Sequence, residues 1–147
     1  MPSRQRRSVK ATLYQSTLYL DGARRLALAK KIIIAGTRSI KSNLQYYKRR
    51  RSLSDFETKT VEISTFIKQM NEVKSIEELM LIEARMRECY YSCFDLIIKA
   101  DGFVFEKRSR RPPRNEVNAM ISFGNMLLYN HIANKILLTE LDIRISF

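Results

Sequence analysis

Two cysteines, one histidine, four glycines and three prolines among 147 residues are low counts, and each scarcity closes off a class of protein. Two cysteines cannot make a secreted disulfide framework, and Cys89 and Cys93, one helical turn apart, run side by side in poor geometry for a bridge. They read as buried thiols. With His131 as the single histidine there is no zinc-ligand cluster, and neither a glycine-rich phosphate loop nor a nucleophile elbow appears. No apolar run approaches the roughly 18 residues a membrane span requires, and no charged-then-apolar signal segment opens the chain. The chain therefore reads as soluble, intracellular and without a membrane-spanning segment. No Pro-rich, Gly/Ser-rich or repetitive linker interrupts it, so residues 1–147 are expected to form a single helical domain.

Acidic residues are also in short supply. Fifteen Asp and Glu face 27 Lys and Arg, a formal net charge of +12 and a sequence pI near 10.0. Such a surface attracts polyanions whatever its fold, and nucleic acid is the expected one, although an anionic membrane surface would be attracted too.

What is abundant is helical periodicity. After the basic PSRQRR stretch, Ser8 can cap a helix to Leu20, with Val9, Leu13 and Leu20 along one side and Tyr14 and Leu18 beside them. The β-prone TLYQSTLYL keeps a strand open there. Asp21 can cap a long helix from Ala23 to about Arg51, in which Leu26, Ile33, Ile40 and Tyr47 recur every seven residues, with Ala29 and Leu44 on the same face. Its end carries Lys48, Arg49, Arg50 and Arg51. That cluster complements the negative end of the helix dipole, and it also suits a phosphate contact. Ser52 to Asp55 break the pattern, a shorter helix follows through Phe56, Ile63, Ile67 and Met70, and Ser75 with Glu78 forms a capping box for the next helix, expected to run to about Ala100. FVFEKRSRRPPR, residues 103–114, is a basic loop stiffened by Pro-Pro; it suits phosphate positioning, and equally a solvated connector. Asn115 can cap a last helix lined by Val117, Met120, Ile121, Gly124, Leu127, Leu128 and His131, the histidine fitting a core position better than a ligand position. The expected fold class is all-α, with about five helices joined by short connections.

The central helix raises the chemical question. At about 100° per residue, Ile76, Leu79, Met80, Met86, Tyr90, Phe94, Ile97 and Ile98 share a face, and Glu83 falls in its middle. A carboxylate in an apolar stripe must be paired, protonated or bound to a cation. Arg87, four residues on, offers a helix ion pair. The alternative is a metal ligand or catalytic carboxylate facing a polar cleft.

Four segments carry a resemblance: RRLALAKKII at Arg24 to Ile33, SIEELMLIEARMRECYY at Ser75 to Tyr91, RSRRPPRNEVNAMISFGNMLLY at Arg108 to Tyr129 and TELDIRISF at Thr139 to Phe147. Their order and wording resemble the C-terminal helical domain of the CRISPR-associated integrase, the endonuclease of spacer acquisition. The second and third are specific, an I-E-A core followed downstream by R-S-R-R-P-P and N-A-x-x-S-x-G. The resemblance implies that Glu83 is the metal-ligating, catalytic glutamate, joined in the family by a histidine and a further acid to hold Mg²⁺ or Mn²⁺, which polarises a target phosphate. It implies DNA as partner, with Arg108, Arg110, Arg111 and Arg114 neutralising backbone phosphates. It further implies a cytoplasmic prokaryotic protein, homodimeric when complete, that works with the small second Cas acquisition subunit. Arg87, Asn118 and Ser122 stand as structural candidates.

The chain departs from the family pattern. Nothing matches the family's N-terminal β-rich domain. The family histidine follows the I-S-F segment and the second acid lies further on, whereas this sequence ends at Phe147 and His131 stands upstream of that position. Glu140 and Ile143 occupy places where many members have Gly and Pro. The expectation is a fragment covering about the middle half of a family protein, weak or inactive alone as a nuclease. Two further readings are a non-catalytic all-α nucleic-acid-binding module, with Glu83 serving only Arg87, and a helical interaction protein.

Overall fold

The computed structural model describes residues 9–51 and 54–147, with the side chains of residues 51, 54 and 55 outside that description. The PSRQRR stretch, the cap at Ser8 and the side chain of Arg51 therefore lie outside the described residues. Six helices follow in order among those described: α1 Val9–Leu20, α2 Gly22–Arg51, α3 Ser54–Glu72, α4 Ile76–Tyr91, α5 Phe94–Ile98 and α6 Glu116–Leu137. The described residues are all-helical, and the TLYQSTLYL stretch is helix rather than strand.

The helix starts follow the capping logic. Asp21 Oδ1 accepts from Arg24 N at 3.1 Å, Ser75 Oγ accepts from Glu78 N at 3.1 Å, and Asn115 Oδ1 accepts from Asn118 N at 2.9 Å. The reciprocal half of the Ser75 box is displaced: Glu78 Oε2 accepts from Lys74 N, at 2.8 Å, one residue before the cap. The central segment, expected to be continuous to Ala100, is two helices. Ser92 and Cys93 form a turn between α4 and α5, and α5 ends when Lys99 enters the left-handed region at φ 42°, before Asp101-Gly102.

α2, α3 and α4 pack on one another, and α1 leans on α2. Their shared core joins Ala29, Ile34 and Leu44 of α2, Phe56, Ile63 and Met70 of α3, and Leu79, Met86 and Cys89 of α4 with Cys93. The heptad residues Leu26, Ile33, Ile40 and Tyr47 flank this cluster, half-buried, as their spacing predicts. Both thiols are buried and unbridged. Burial, with a hydrogen bond to Glu62, pushes the Cys89 thiol up to about 12, and burial raises Cys93 as well, so both stay protonated and inert at neutral pH.

Two helices contradict the apolar faces read for them. Val9, Leu13, Tyr14 and Leu20 of α1 are exposed. α6 is buried only at Val117 and Asn118, while Met120, Leu127 and Leu128 are exposed and so is His131. The histidine is thus a surface residue rather than a core one. α6 makes no extended packing with α1–α5 among the described residues; only at its start do Val117, Met120 and Ile121 share a cavity with Phe94, Ile98 and Phe103. Among the described residues no helix is long and apolar enough to cross a membrane.

The end of the chain is tied to its beginning. Gln15, buried on α1, accepts from Asp142 N at 2.8 Å and donates to the carbonyls of Asp142 at 3.1 Å and Ile145 at 3.0 Å. Asp142 is itself buried and holds Arg144 through Oδ2 at 2.7 Å. An edge contact of Tyr19 with Phe147, centroids 6.4 Å apart, closes the seam. Replacing Gln15 with Ala leaves three backbone groups without their partner, so Gln15→Ala is expected to lower stability by about 2 kcal/mol and to accelerate amide hydrogen exchange at Asp142 while amides in α3 keep their protection.

Candidate nucleic-acid interface

The basic loop at residues 99–115 is fastened at three points. Phe105, almost fully buried, enters an aromatic cluster with Tyr91 and Phe94 at centroid distances of 5.8 and 5.2 Å, and its N–H donates to Asp95 Oδ1 at 2.7 Å. At the far end Asn115 caps α6. Between them lies Asn118, fully buried on the first turn of α6. Its amide Nδ2 donates to Lys107 O at 2.8 Å and Asn115 Oδ1 at 2.9 Å, and its Oδ1 accepts from Ser109 N and Arg108 Nη1, both at 2.9 Å. Every donor and acceptor of a buried amide is used, and all four partners come from the loop.

Arg108 is consumed by this scaffold. Besides Asn118, its guanidinium donates to Ser122 Oγ at 3.1 Å and to the carbonyl of Ser109. Asn118 and Ser122 hold the loop through these bonds, and Arg108 joins them, its charge half-covered. Arg110 and Arg111 are exposed instead, and Arg114 is exposed with its backbone N–H held by Ser109 Oγ at 2.8 Å. None of the three is paired with a carboxylate among the described residues.

Arg110 and Arg111 line a cavity of about 370 Å³ between the loop, α4 and α6. α4 contributes Arg87 and Tyr91, and α6 contributes Ser122, Asn125, Met126, Tyr129 and Asn130. Cations, amides and two phenols converge there with no acid in the lining. A second cavity of about 350 Å³ shares Arg108, Arg110 and Arg111, adds Arg114, and includes Glu106 as its acid. The residues that the sequence reading missed are Tyr91, Asn125, Tyr129 and Asn130. Their signal was available: Ser122, Asn125, Met126 and Tyr129 follow helical spacing, and Tyr91 lies one turn beyond Arg87.

Glu83 sits beside this cavity without lining it. Its carboxylate Oε1 accepts from Arg87 Nε at 2.8 Å and lies 2.6 Å from Nη2. The Glu83 side chain is 20% exposed, on the flank of the α4 core stripe rather than in its middle. The buried residues are Leu79, Met86 and Cys89, while Met80, expected on that face, is exposed; without Met80 the stripe rotates away from Glu83. Burial pulls the Arg87 guanidinium down, but its hydrogen bonds with Glu83 and Tyr91 outweigh this, so it is held in its charged form.

The cluster at the end of α2 lies apart. Lys48 pairs with Glu57 at 2.8 Å, Arg50 stacks 5.3 Å over Tyr46 and hydrogen-bonds its hydroxyl, and Arg49 is exposed. None of them lines the cavity of the loop arginines.

Fold and site together define a class: a helical scaffold presenting a rigidly mounted arginine loop and a tyrosine- and amide-lined cavity, with one carboxylate at its rim. A sequence model of the family described as CRISPR associated protein Cas1 matches residues 1–147, and the chain belongs to that family. It is 41% identical over 136 residues to the CRISPR-associated endonuclease Cas1 2 of Thermodesulfovibrio yellowstonii, covering 92% of this chain and 40% of that protein. To the CRISPR-associated endonuclease Cas1 of Haloferax volcanii it is 35% identical over all of this chain and 44% of that protein. A solved CAS1 protein from Thermotoga maritima superposes with a TM-score of 0.79 at 34% identity, over 95% of this chain and 42% of that one. A Cas6-RT-Cas1–Cas2 complex superposes at 0.75 and 22% identity, over 83% of this chain and 13% of that one, a likeness of fold. The chain spans about two fifths of the length of these curated relatives rather than half.

No group of three or more His, Cys, Asp or Glu that could hold a metal exists among the described residues, and a lone carboxylate already paired with a guanidinium does not make a Mg²⁺ or Mn²⁺ centre. The loop mounting is directly testable. Asn118→Ala strands several loop groups at once and is expected to destabilise the chain by about 3 kcal/mol in urea unfolding, with faster tryptic cleavage within residues 107–114.

Proposed function

We propose that this chain supplies the DNA-binding face and one acidic ligand of a metal-dependent DNA endonuclease and integrase of CRISPR spacer acquisition. The observation that carries the reading is the meeting of Arg110, Arg111 and Arg87 in one acid-free cavity beside Glu83. Guanidinium groups mounted on a fixed loop are suited to neutralising successive backbone phosphates, which positions a strand without reading its sequence. Arg114 extends the basic strip, and the α2 cluster of Lys48, Arg49, Arg50 and Arg51 offers a separate phosphate contact. The names of the relatives support nuclease chemistry. The metal, Mg²⁺ or Mn²⁺, would be held by Glu83 together with the family's histidine and second acid. The complete protein is proposed to be a cytoplasmic prokaryotic homodimer that works with the small second acquisition subunit; the likeness to the Cas1 part of a Cas6-RT-Cas1–Cas2 complex supports such a partnership.

A second reading is favoured by one observation, the direct Glu83–Arg87 pair, which belongs to no group of three or more potential metal ligands among the described residues. Here the chain is a non-catalytic nucleic-acid-binding module in which Glu83 serves only its neighbour. Both readings expect affinity for single-stranded DNA to fall steeply with salt, and replacing Arg110 and Arg111 by Ala is expected to flatten the slope of log K against log salt by about 0.7 for each phosphate that is no longer neutralised. Salt-independent binding overturns both. They part on chemistry: in a chain extended to include the family's remaining ligands, Glu83→Ala abolishes metal-dependent nicking under the first reading, and nicking that survives the substitution rules out Glu83 as the ligand.

A further inference from the structure

Arg87 belongs to two structures at once. Its Nε and Nη2 both converge on Glu83 Oε1, at 2.8 and 2.6 Å, and it lines the same cavity as Tyr91, one turn further along α4, and as Arg110 and Arg111. Its side chain is 49% exposed against 20% for Glu83, so the guanidinium faces the cavity while the carboxylate lies behind it. Five N–H donors on a planar fork allow one guanidinium to meet two anions, but two negative groups on one cation repel each other, and neither keeps its full attraction.

We infer that Arg87 is a positioning residue for which Glu83 and a DNA phosphate in the cavity compete. The inference rests on the proposed reading of that cavity as a phosphate site and adds what happens to Glu83 when the site fills. Without DNA, Arg87 neutralises Glu83 and holds it against α4. A phosphate drawn in by Arg110 and Arg111 takes a share of the Arg87 guanidinium, and the carboxylate loses that share of its partner. By linkage, the pair weakens phosphate binding by the same factor by which phosphate weakens the pair. Glu83 thereby becomes available as a ligand or base when a strand is present and is masked when none is.

The test is a double-mutant cycle on the whole chain. Dissociation constants for a short fluorescein-labelled oligothymidylate are measured by anisotropy at fixed low salt for the wild type, Glu83→Gln, Arg87→Gln and the double variant, with urea midpoints reporting folding. Glu83→Gln is nearly isosteric and is expected to tighten binding by about twofold, the factor expected for releasing a helical ion pair. Arg87→Gln weakens binding, and in its background the Glu83→Gln gain disappears. Arg87→Lys, which keeps the charge, restores at least half of the coupling and serves as the readout if Arg87→Gln fails to fold. An equal gain from Glu83→Gln with and without Arg87, or no gain at all, overturns the inference. Its failure is distinguishable from failure of the DNA reading: if Arg110→Gln with Arg111→Gln leaves affinity unchanged, the cavity is not the phosphate site, whereas a weaker affinity there alongside an uncoupled Glu83 removes only the Arg87 role.

Discussion

The buried amide of Asn118 governs the rest of the site. An amide taken out of water is tolerable only when its groups are all hydrogen-bonded, and here the bonds can be made in only one arrangement of residues 107–109. That requirement converts a loop rich in arginine, which would otherwise sample many conformations and spread its like charges apart, into a fixed mount. Arg108 is tied down by the same node, so its charge contributes more to holding the loop than to an external anion. Arg110 and Arg111 gain what Arg108 gives up: a defined position with their guanidinium groups left exposed.

Charge balance then explains why the cavity is receptive. Net charge is +12, yet acids are placed where they quench particular cations: Asp21 on Arg24, Glu57 on Lys48, Glu62 on Lys59, Asp142 on Arg144. Such pairs, at least one member of each exposed, contribute little stability individually. None of them reaches Arg110, Arg111 or Arg114, so those loop arginines remain without a compensating carboxylate among the described residues. Glu83 is the exception at the cavity rim, and its partner is the cavity's own Arg87. One acid at the edge of a cation cluster gives that edge two states in electrostatic terms, paired or displaced, while the cations deeper in the loop have one.

How much of this was legible depends on the kind of signal. Local chemistry read well: Asp21, Ser75 and Asn115 cap helices because short polar side chains satisfy orphan N–H groups wherever they fall, and the α2 heptads bury because α3 and α4 lie against them. The Glu83–Arg87 pair followed from i, i+4 spacing. Three things escaped. α6 carries apolar residues around most of its circumference, so no face could be chosen by period, and His131 reads inward when it points out. Counting Met80 as core rotates the α4 stripe toward Glu83. The Ser92–Cys93 turn interrupts a run whose hydrophobicity continues unbroken, because Cys93 still buries against α4 and donates from Sγ to Cys89 O at 3.5 Å. The Gln15–Asp142 seam joins opposite ends of the sequence, and no local pattern encodes such a pairing.

The division of α4 into two faces has a consequence for what the site can do. One face sets Leu79, Met86 and Cys89 into the core with α2 and α3, and the adjoining face carries Glu83, Arg87 and Tyr91 as a ladder of i, i+4 neighbours. A close-packed core fixes the helix backbone to within a fraction of an ångström, so the ladder's Cα positions are set by residues that never meet a ligand. Motion at the rim is then confined to side-chain rotations of long, polar groups, which cost little and do not strain the packing behind them. A carboxylate that must be held at rest and released in place is best mounted in this way, on the flank of a packed helix rather than in a loop, because its exchange of partners leaves the scaffold unmoved.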